Sequence, residues 1–187
     1  MLNWLNLINF GVRKYQCGYC GQKIASEKAY VAERGYDVIN ICPYCTMPTI
    51  FLADGSQIPG ILYGDEVQDI SDKDVVSLYK EARECIASNA YTASVMCSRK
   101  LLMNIAVAKG AKEGLSYKDY VDYLASKGFV PPDGKEWVDH IRNKGNEANH
   151  EIALMTEKDA KELIDFLSML LKLIFEFPAL AKKKTTP

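Results

Sequence analysis

Cys17-Gly18-Tyr19-Cys20-Gly21 and Cys42-Pro43-Tyr44-Cys45 are two knuckles set twenty-one residues apart. In each, cysteines three positions apart can turn both sulfurs toward one centre, and the small or rigid residues between them allow the tight turn. The intervening chain has the length of an antiparallel hairpin, with Ala29-Tyr30-Val31-Ala32-Glu33 and Asp37-Val38-Ile39-Asn40-Ile41 as strands around Arg34-Gly35-Tyr36. The spacing predicts a zinc ribbon in which Cys17, Cys20, Cys42 and Cys45 hold one Zn2+ tetrahedrally. With all four places taken by thiolates, no position is left to activate water, so the ion is expected to be structural. A thioredoxin-like redox role would instead need a single pair at a strand-to-helix turn. A module this short gains little from burial, whereas structural zinc supplies roughly 10–16 kcal/mol in small fingers. Residues 15 to 55 are therefore expected to unfold first on chelation.

Beside the knuckles, Tyr19, Tyr44, Arg13 and Lys14 form a candidate nucleic-acid-binding set, with aromatic faces for bases and cations for phosphate. A protein contact, or bracing of a neighbouring domain, is the competing role for the ribbon. The 187 residues carry a net charge of −1, with five basic and four acidic residues up to Gly60 and eighteen against twenty beyond it. Neither part is the basic body of a nonspecific nucleic-acid binder, so any RNA or DNA contact must be local. Six cysteines, as two Cys-x-x-Cys pairs and two singles, fit metal binding in a reducing compartment, and the expected location is cytoplasmic. The opening Met1 to Phe10 has no basic start and no cleavage site, and reads as mature protein. The longest apolar stretch, Leu163 to Phe177, is interrupted by Asp165, Lys172 and Glu176, so no membrane partner is expected.

Residues 1–60 are thus read as an N-terminal segment and ribbon, and the Gly- and Pro-containing stretch 61–71 as a linker. From Asp72 the apolar pattern becomes helical, with Val75, Leu78, Tyr79, Ala82 and Ile86 on one face of a helix ending near Ser88-Asn89. A second helix runs from Ala90 to Lys109 and stops at Gly110. Ser116 caps a third, which places Tyr117, Tyr120, Val121 and Leu124 on one face and ends at Gly128. A fourth follows Pro131-Pro132-Asp133 and reaches Asn149, and Thr156 with Asp159 forms a capping box for the last, which Pro178 is expected to end. Residues 72–180 are read as the bundle and 181–187 as a flexible tail. The expected fold class is mainly α: a small N-terminal β zinc ribbon followed by a bundle of about five helices. Cys85 and Cys97 lie in helices without metal spacing and read as buried thiols.

On the fourth helix Arg142, Asn146 and His150 are spaced by four and share a face. Together they are candidate catalytic residues: Arg142 could grip a phosphate while His150 acts as general acid or base. The alternative is that Asn146 and His150 bond to the backbone ends of neighbouring helices. Arg99 reads as a salt-bridged helix residue, or as an accessory to His150 if the second helix brings it near.

Tyr79-Lys80-Glu81-Ala82-Arg83-Glu84-Cys85, Asn89-Ala90-Tyr91-Thr92-Ala93, Arg99-Lys100-Leu101-Leu102, Gly128-Phe129-Val130-Pro131 and Ile141 to His150 resemble the bacterial domain-of-unknown-function family 4145 over residues 72 to 180. That family looks like a branch of the HEPN superfamily of helical nucleotide-binding domains. The resemblance implies a HEPN-like bundle that often forms a homodimer, in a setting of prokaryotic defence or mobile-element systems. Active HEPN ribonucleases carry an Arg-x4-6-His motif that cleaves RNA without metal. Here Gly145 stands in the arginine position and Arg142 lies one turn earlier, so transition-state charge would lack its usual cation.

The expected function is accordingly a zinc-binding, noncatalytic nucleic-acid- or protein-binding accessory protein, with RNA, DNA or a larger defence-complex protein as partner. The alternative is a metal-independent ribonuclease or toxin using His150 and Arg142.

Overall fold

The computed structural model describes residues 7–33, 36–130, 137, 139–141 and 154–185. The chain divides into two compact units, Met1–Leu62 and Tyr63–Pro187.

In the first unit five strands, β1 (Ile8–Gln16), β2 (Lys23–Val31), β3 (Val38–Ile41), β4 (Pro48–Phe51) and β5 (Gln57–Ile58), each pair antiparallel with the next in one sheet. The hairpin expected between the knuckles is β2–β3, paired at Tyr30 with Ile39 and Val31 with Val38. The other three strands correct the expected fold class. Among the described residues about 48% are helical and 18% lie in strands, so the fold is mixed α and β rather than mainly α. β1 carries no readable alternation, because every residue from Ile8 to Val12 is exposed and the register slips between Asn9 and Arg13 around Gly11 at φ 86°. Its strand character comes from pairing with β2, a non-local interaction. β4 and β5, four and two residues long, are too short for a period to show.

The sheet buries Val38, Asn40, Thr49 and Phe51 on one face. Its other face carries a cross-strand row in which Tyr30 pairs with Ile39, Ile39 with Ile50, and Ile50 with Ile58. Directly opposed residues point the same way, so this row is continuous.

The second unit contains α1 (Lys73–Ala87), α2 (Tyr91–Ala108), α3 (Tyr117–Ser126), α4 (Glu157–Leu171) and α5 (Phe177–Thr185). Leu101, Leu102, Val121, Leu124, Ile164, Phe166, Leu167 and Leu170 are fully buried at its centre. The caps of α3 and α4 lie where the sequence places them. Asp72 accepts from the amides of Asp74 and Val75, and Ser116 with Asp119 and Thr156 with Asp159 close capping boxes. Of the expected fourth helix, Trp137, Asp139, His140 and Ile141 are helical, with the Trp137 ring edge-on to Phe166 at 5.2 Å. The remainder of that helix lies outside the described residues.

Pro178 does not end the last helix. A π-turn over Lys172–Glu176, closed by the Phe177 amide on the Lys172 carbonyl, leads into α5. Proline lacks an N–H and its ring crowds the carbonyl four residues back; the widened turn, together with a place in the first turn of α5, removes both conflicts. Residues up to Thr185, expected in the tail, are helical, and Lys183 Nζ donates to both carboxylate oxygens of Asp69 at 2.9 and 3.0 Å.

The stretch expected as linker is a strap on the helices. Arg83 Nε and Nη2 donate to the carbonyls of Tyr63 and Gly64 at 2.7 Å each, and Tyr79 OH donates to the Asp65 carbonyl at 2.9 Å. Tyr63, Val67 and Ile70 pack on the helical core, Tyr63 OH donates to Asp165, and Asp65 pairs with Lys172. Lys172 holds the Asp65 carboxyl below the usual carboxylate range. Gly64 permits the approach: it sits at φ 79°, and a Cβ there would meet Ile164 Cγ2 at 2.4 Å.

Gly64→Ala is therefore expected to destabilise the protein by about 2–4 kcal/mol through combined backbone strain and overpacking. Gly114, at φ 80° with open space around it, isolates the backbone term, and Gly114→Ala should cost only about 1–2 kcal/mol. Urea unfolding followed by far-UV circular dichroism checks the difference.

Candidate metal centre

The two knuckles are built alike. In the first, the Cys17 amide donates to the Gln22 carbonyl and the Gly21 amide to the Cys17 carbonyl, both at 2.9 Å. In the second, the Cys42 amide donates to the Met47 carbonyl at 3.0 Å and the Thr46 amide to the Cys42 carbonyl at 2.9 Å. In both, the residue after the second cysteine takes a left-handed conformation, Gly21 at φ 70° and Thr46 at φ 60°. The β1–β2 turn thus presents Cys17 and Cys20, and the β3–β4 turn presents Cys42 and Cys45 in the same way.

The four sulfurs converge, all within 4.8 Å of one another. Cys17 Sγ lies 3.7 Å from Cys45 Sγ, and Cys20 Sγ 3.6 Å from Cys42 Sγ. These separations are far longer than a disulfide bond of about 2.0 Å. They match the edge of a tetrahedron, since metal–sulfur bonds of about 2.3 Å place ligand sulfurs roughly 3.8 Å apart. Cys17 and Cys42 are buried, and Cys20 and Cys45 half-buried. The four cysteines form a plausible metal-binding site with no free corner.

Burial raises the Cys17 thiol, but amides of the knuckle turned on its sulfur prevail and bring it down to about 7. At Cys20 the backbone at Gln22 favours the thiolate, yet burial and the neighbouring sulfurs together push the thiol up to about 12; Cys45 is also raised. An ion is what lets the whole set ionise together.

Under the sulfurs, the Tyr15 ring is edge-on to Phe51 at 5.1 Å, and the Arg13 guanidinium lies 4.5 Å over the same Phe51 ring. Burial, and then the neighbouring cysteines, push the Tyr15 phenol up to about 12. Gly18 fits against the chain after β5: a Cβ there would come within 2.4 Å of the Gly60 carbonyl oxygen. Gln57 Nε2 clamps the same region by donating to the carbonyls of Gln16 at 2.9 Å and Pro59 at 3.0 Å. Neither Gly18 nor Gln57 stood out in the sequence; the signal was the bare glycine inside a Cys-x-x-Cys turn.

Tyr19 and Tyr44 occupy equivalent knuckle positions and are 41% and 69% exposed, and Lys14 is exposed on β1. Arg13 is instead taken up by Phe51. Arg142, Asn146 and His150 lie outside the described residues. Arg99 has no ion pair among the described residues and stacks on Tyr117 instead. Cys85 and Cys97, on α1 and α2, are half-buried rather than sealed in the core; burial and then Glu81 raise both thiols, Cys97 to about 11.

A family model described as "Domain of unknown function (DUF4145)" matches residues 80–186, from the middle of α1 through α5. The metal centre and the strap lie ahead of the match. No curated protein and no solved structure matches the chain.

Metal binding must remove the protons of Cys20 and Cys45, so affinity falls with acid by at least about a hundredfold per pH unit, and more steeply once Cys17 protonates below about pH 7. Competition against a chromophoric chelator at pH 6, 7 and 8 measures the slope. Gly18→Ala is expected to weaken metal affinity by about tenfold or more in the same assay, because the knuckle must shift away from the Gly60 carbonyl.

Proposed function

The chain belongs to the DUF4145 family, and from its helical domain and the metal centre ahead of it we propose a noncatalytic, zinc-binding adaptor that recognises a protein partner through its ribbon. Four thiolates with no open corner favour zinc in a structural role over a catalytic ion. The ribbon's own buried clusters are small, one of Tyr15, Cys17, Ile24, Cys42 and Phe51 and another of Ala29, Val31 and Val38. Such a core depends on the ion for its fold.

The observation that carries the choice of partner is the outer face of the sheet. Tyr30, Ile41 and Ile58 are 37%, 41% and 48% exposed around the half-buried Ile39 and Ile50, with Tyr44 and Met47 close by in sequence on the second knuckle. A contiguous exposed apolar face marks an interaction surface, and apolar and aromatic side chains are what protein interfaces bury. Nucleic acid is less well supported: the first sixty residues carry one net positive charge, and Arg13, one of the cations available for phosphate, is held on Phe51. The membership of a HEPN-like defence setting and dimerisation through the helices rest on the resemblance alone. So does the ribonuclease alternative, whose Arg142 and His150 lie outside the described residues.

Elemental analysis of protein purified without added metal is expected to give one zinc per chain. Excess chelator should unfold the ribbon while α-helical ellipticity persists; coloured iron in place of zinc would overturn the metal assignment. A photo-crosslinking residue at Ile41 in the native host should give a discrete protein adduct, reduced at least about tenfold by Ile58→Glu. A salt-dependent shift of RNA or DNA by purified protein, weakened by Tyr44→Ala, would replace the protein partner with nucleic acid.

A further inference from the structure

Burying an arginine without a counter-charge costs stability, because the guanidinium loses water and gains no oxygen partner. Arg99 on α2 is in that position. It is 3% exposed, its Nη1 atom has no hydrogen-bond partner, and among the described residues no carboxylate pairs with it. Its contact is with the Tyr117 ring, whose centroid lies 4.1 Å from the guanidinium carbon. A cation over an aromatic face is favourable, but it leaves the N–H donors of Nη1 unused.

The same side chain lines a cavity of about 770 Å³ formed by residues of α1, α2 and α3. Val75, Leu78, Leu101 and Val107 give that cavity apolar walls, and the carboxylates of Asp72, Asp74 and Glu113 are exposed along it. The volume is within the range of small-molecule sites, and an apolar pocket with one deeply set polar anchor is their usual construction.

We propose that this cavity binds a small carboxylate with an apolar body, its oxygens taken by Arg99 and its body lying against the apolar walls. A guanidinium fork matches a carboxylate through two parallel N–H···O bonds. Arg99 is the buried cation of the lining and balances one negative charge; the exposed Lys100 also lines the cavity, but the three exposed carboxylates outnumber it and disfavour a dianion or a nucleic-acid strand. Ligand binding then supplies the counter-charge that the described residues withhold, which explains why a destabilising side chain occupies this place. The site lies in the helical unit.

Calorimetry on the full-length protein as isolated compares hexanoate, its neutral isostere hexanamide, and inorganic phosphate. Hexanoate is expected to bind at one site, with hexanamide and phosphate at least about tenfold weaker. Arg99→Met should remove hexanoate binding and leave the ligand-free protein with an equal or higher melting temperature. Leu78→Trp, which keeps Arg99 and fills the wall, should also weaken hexanoate. Equal binding of hexanoate and hexanamide, or hexanoate binding that survives Arg99→Met, overturns the role of the guanidinium. Tighter binding of phosphate overturns the choice of carboxylate. No hexanoate binding by the unsubstituted protein, with a lower melting temperature for Arg99→Met, assigns Arg99 a structural role on Tyr117. Should Arg99→Met not fold, the hexanoate and hexanamide comparison on the unsubstituted protein decides.

Discussion

Four sulfurs at tetrahedral separation form a plausible metal-binding site where the β1–β2 and β3–β4 turns meet. Each knuckle spends its own amides on its own carbonyls, and the hairpin between them is joined over two residue pairs. The apolar side chains that the ribbon buries are few, and Tyr15, Ile24 and Phe51 among them cluster on the cysteines. The thiols are also mismatched, one stabilised as thiolate near neutrality and others pushed well above it. An ion that binds all of them settles that electrostatic conflict and the folding of the sheet in one step. The helical unit has no such dependence, since Phe166, Leu167, Leu170 and their neighbours form a core of ordinary size.

What could be read from residues alone follows the range of the interactions. The knuckles were legible because metal ligation fixes cysteine spacing locally, and the starts of α3 and α4 because Ser116 and Thr156 bond within three residues of themselves. β1 was not, since its partner is another strand and its own residues from Ile8 to Val12 show no period. The result was a fold class set too far toward helix. The strap failed for a related reason. Gly, Pro and Asp residues mark a connection, but nothing local announces that Arg83 and Tyr79, more than a dozen residues away, will take up its carbonyls.

The candidate site divides along the same line. Cys17, Cys20, Cys42 and Cys45 converge as the spacing required, and Tyr19 and Tyr44 stand out from equivalent turns. Arg13 lies over Phe51, a contact that only the fold creates. Arg99 was expected in a salt bridge, the common fate of arginine on a helix; its burial against Tyr117 depends on how α2 and α3 pack. The family match begins after the metal centre, so kinship describes the helices and the chemistry of the ribbon has to be read from its own residues.

The π-turn at Lys172–Glu176 alters how this helix should be compared between sequences. One extra residue in a helix advances everything after it by about 100°. The stripe that buries Leu163, Leu167, Leu170 and Ile174 therefore does not continue in step: Phe177 and Leu180 are 50% and 43% exposed, while Lys183 meets Asp69. A relative shorter by a single residue in this turn would keep the same helix in a different phase. Aligning the two without a gap would place the strap's anchoring lysine opposite a residue on another face, and the difference would read as divergence of sequence when it is a rotation of the same surface.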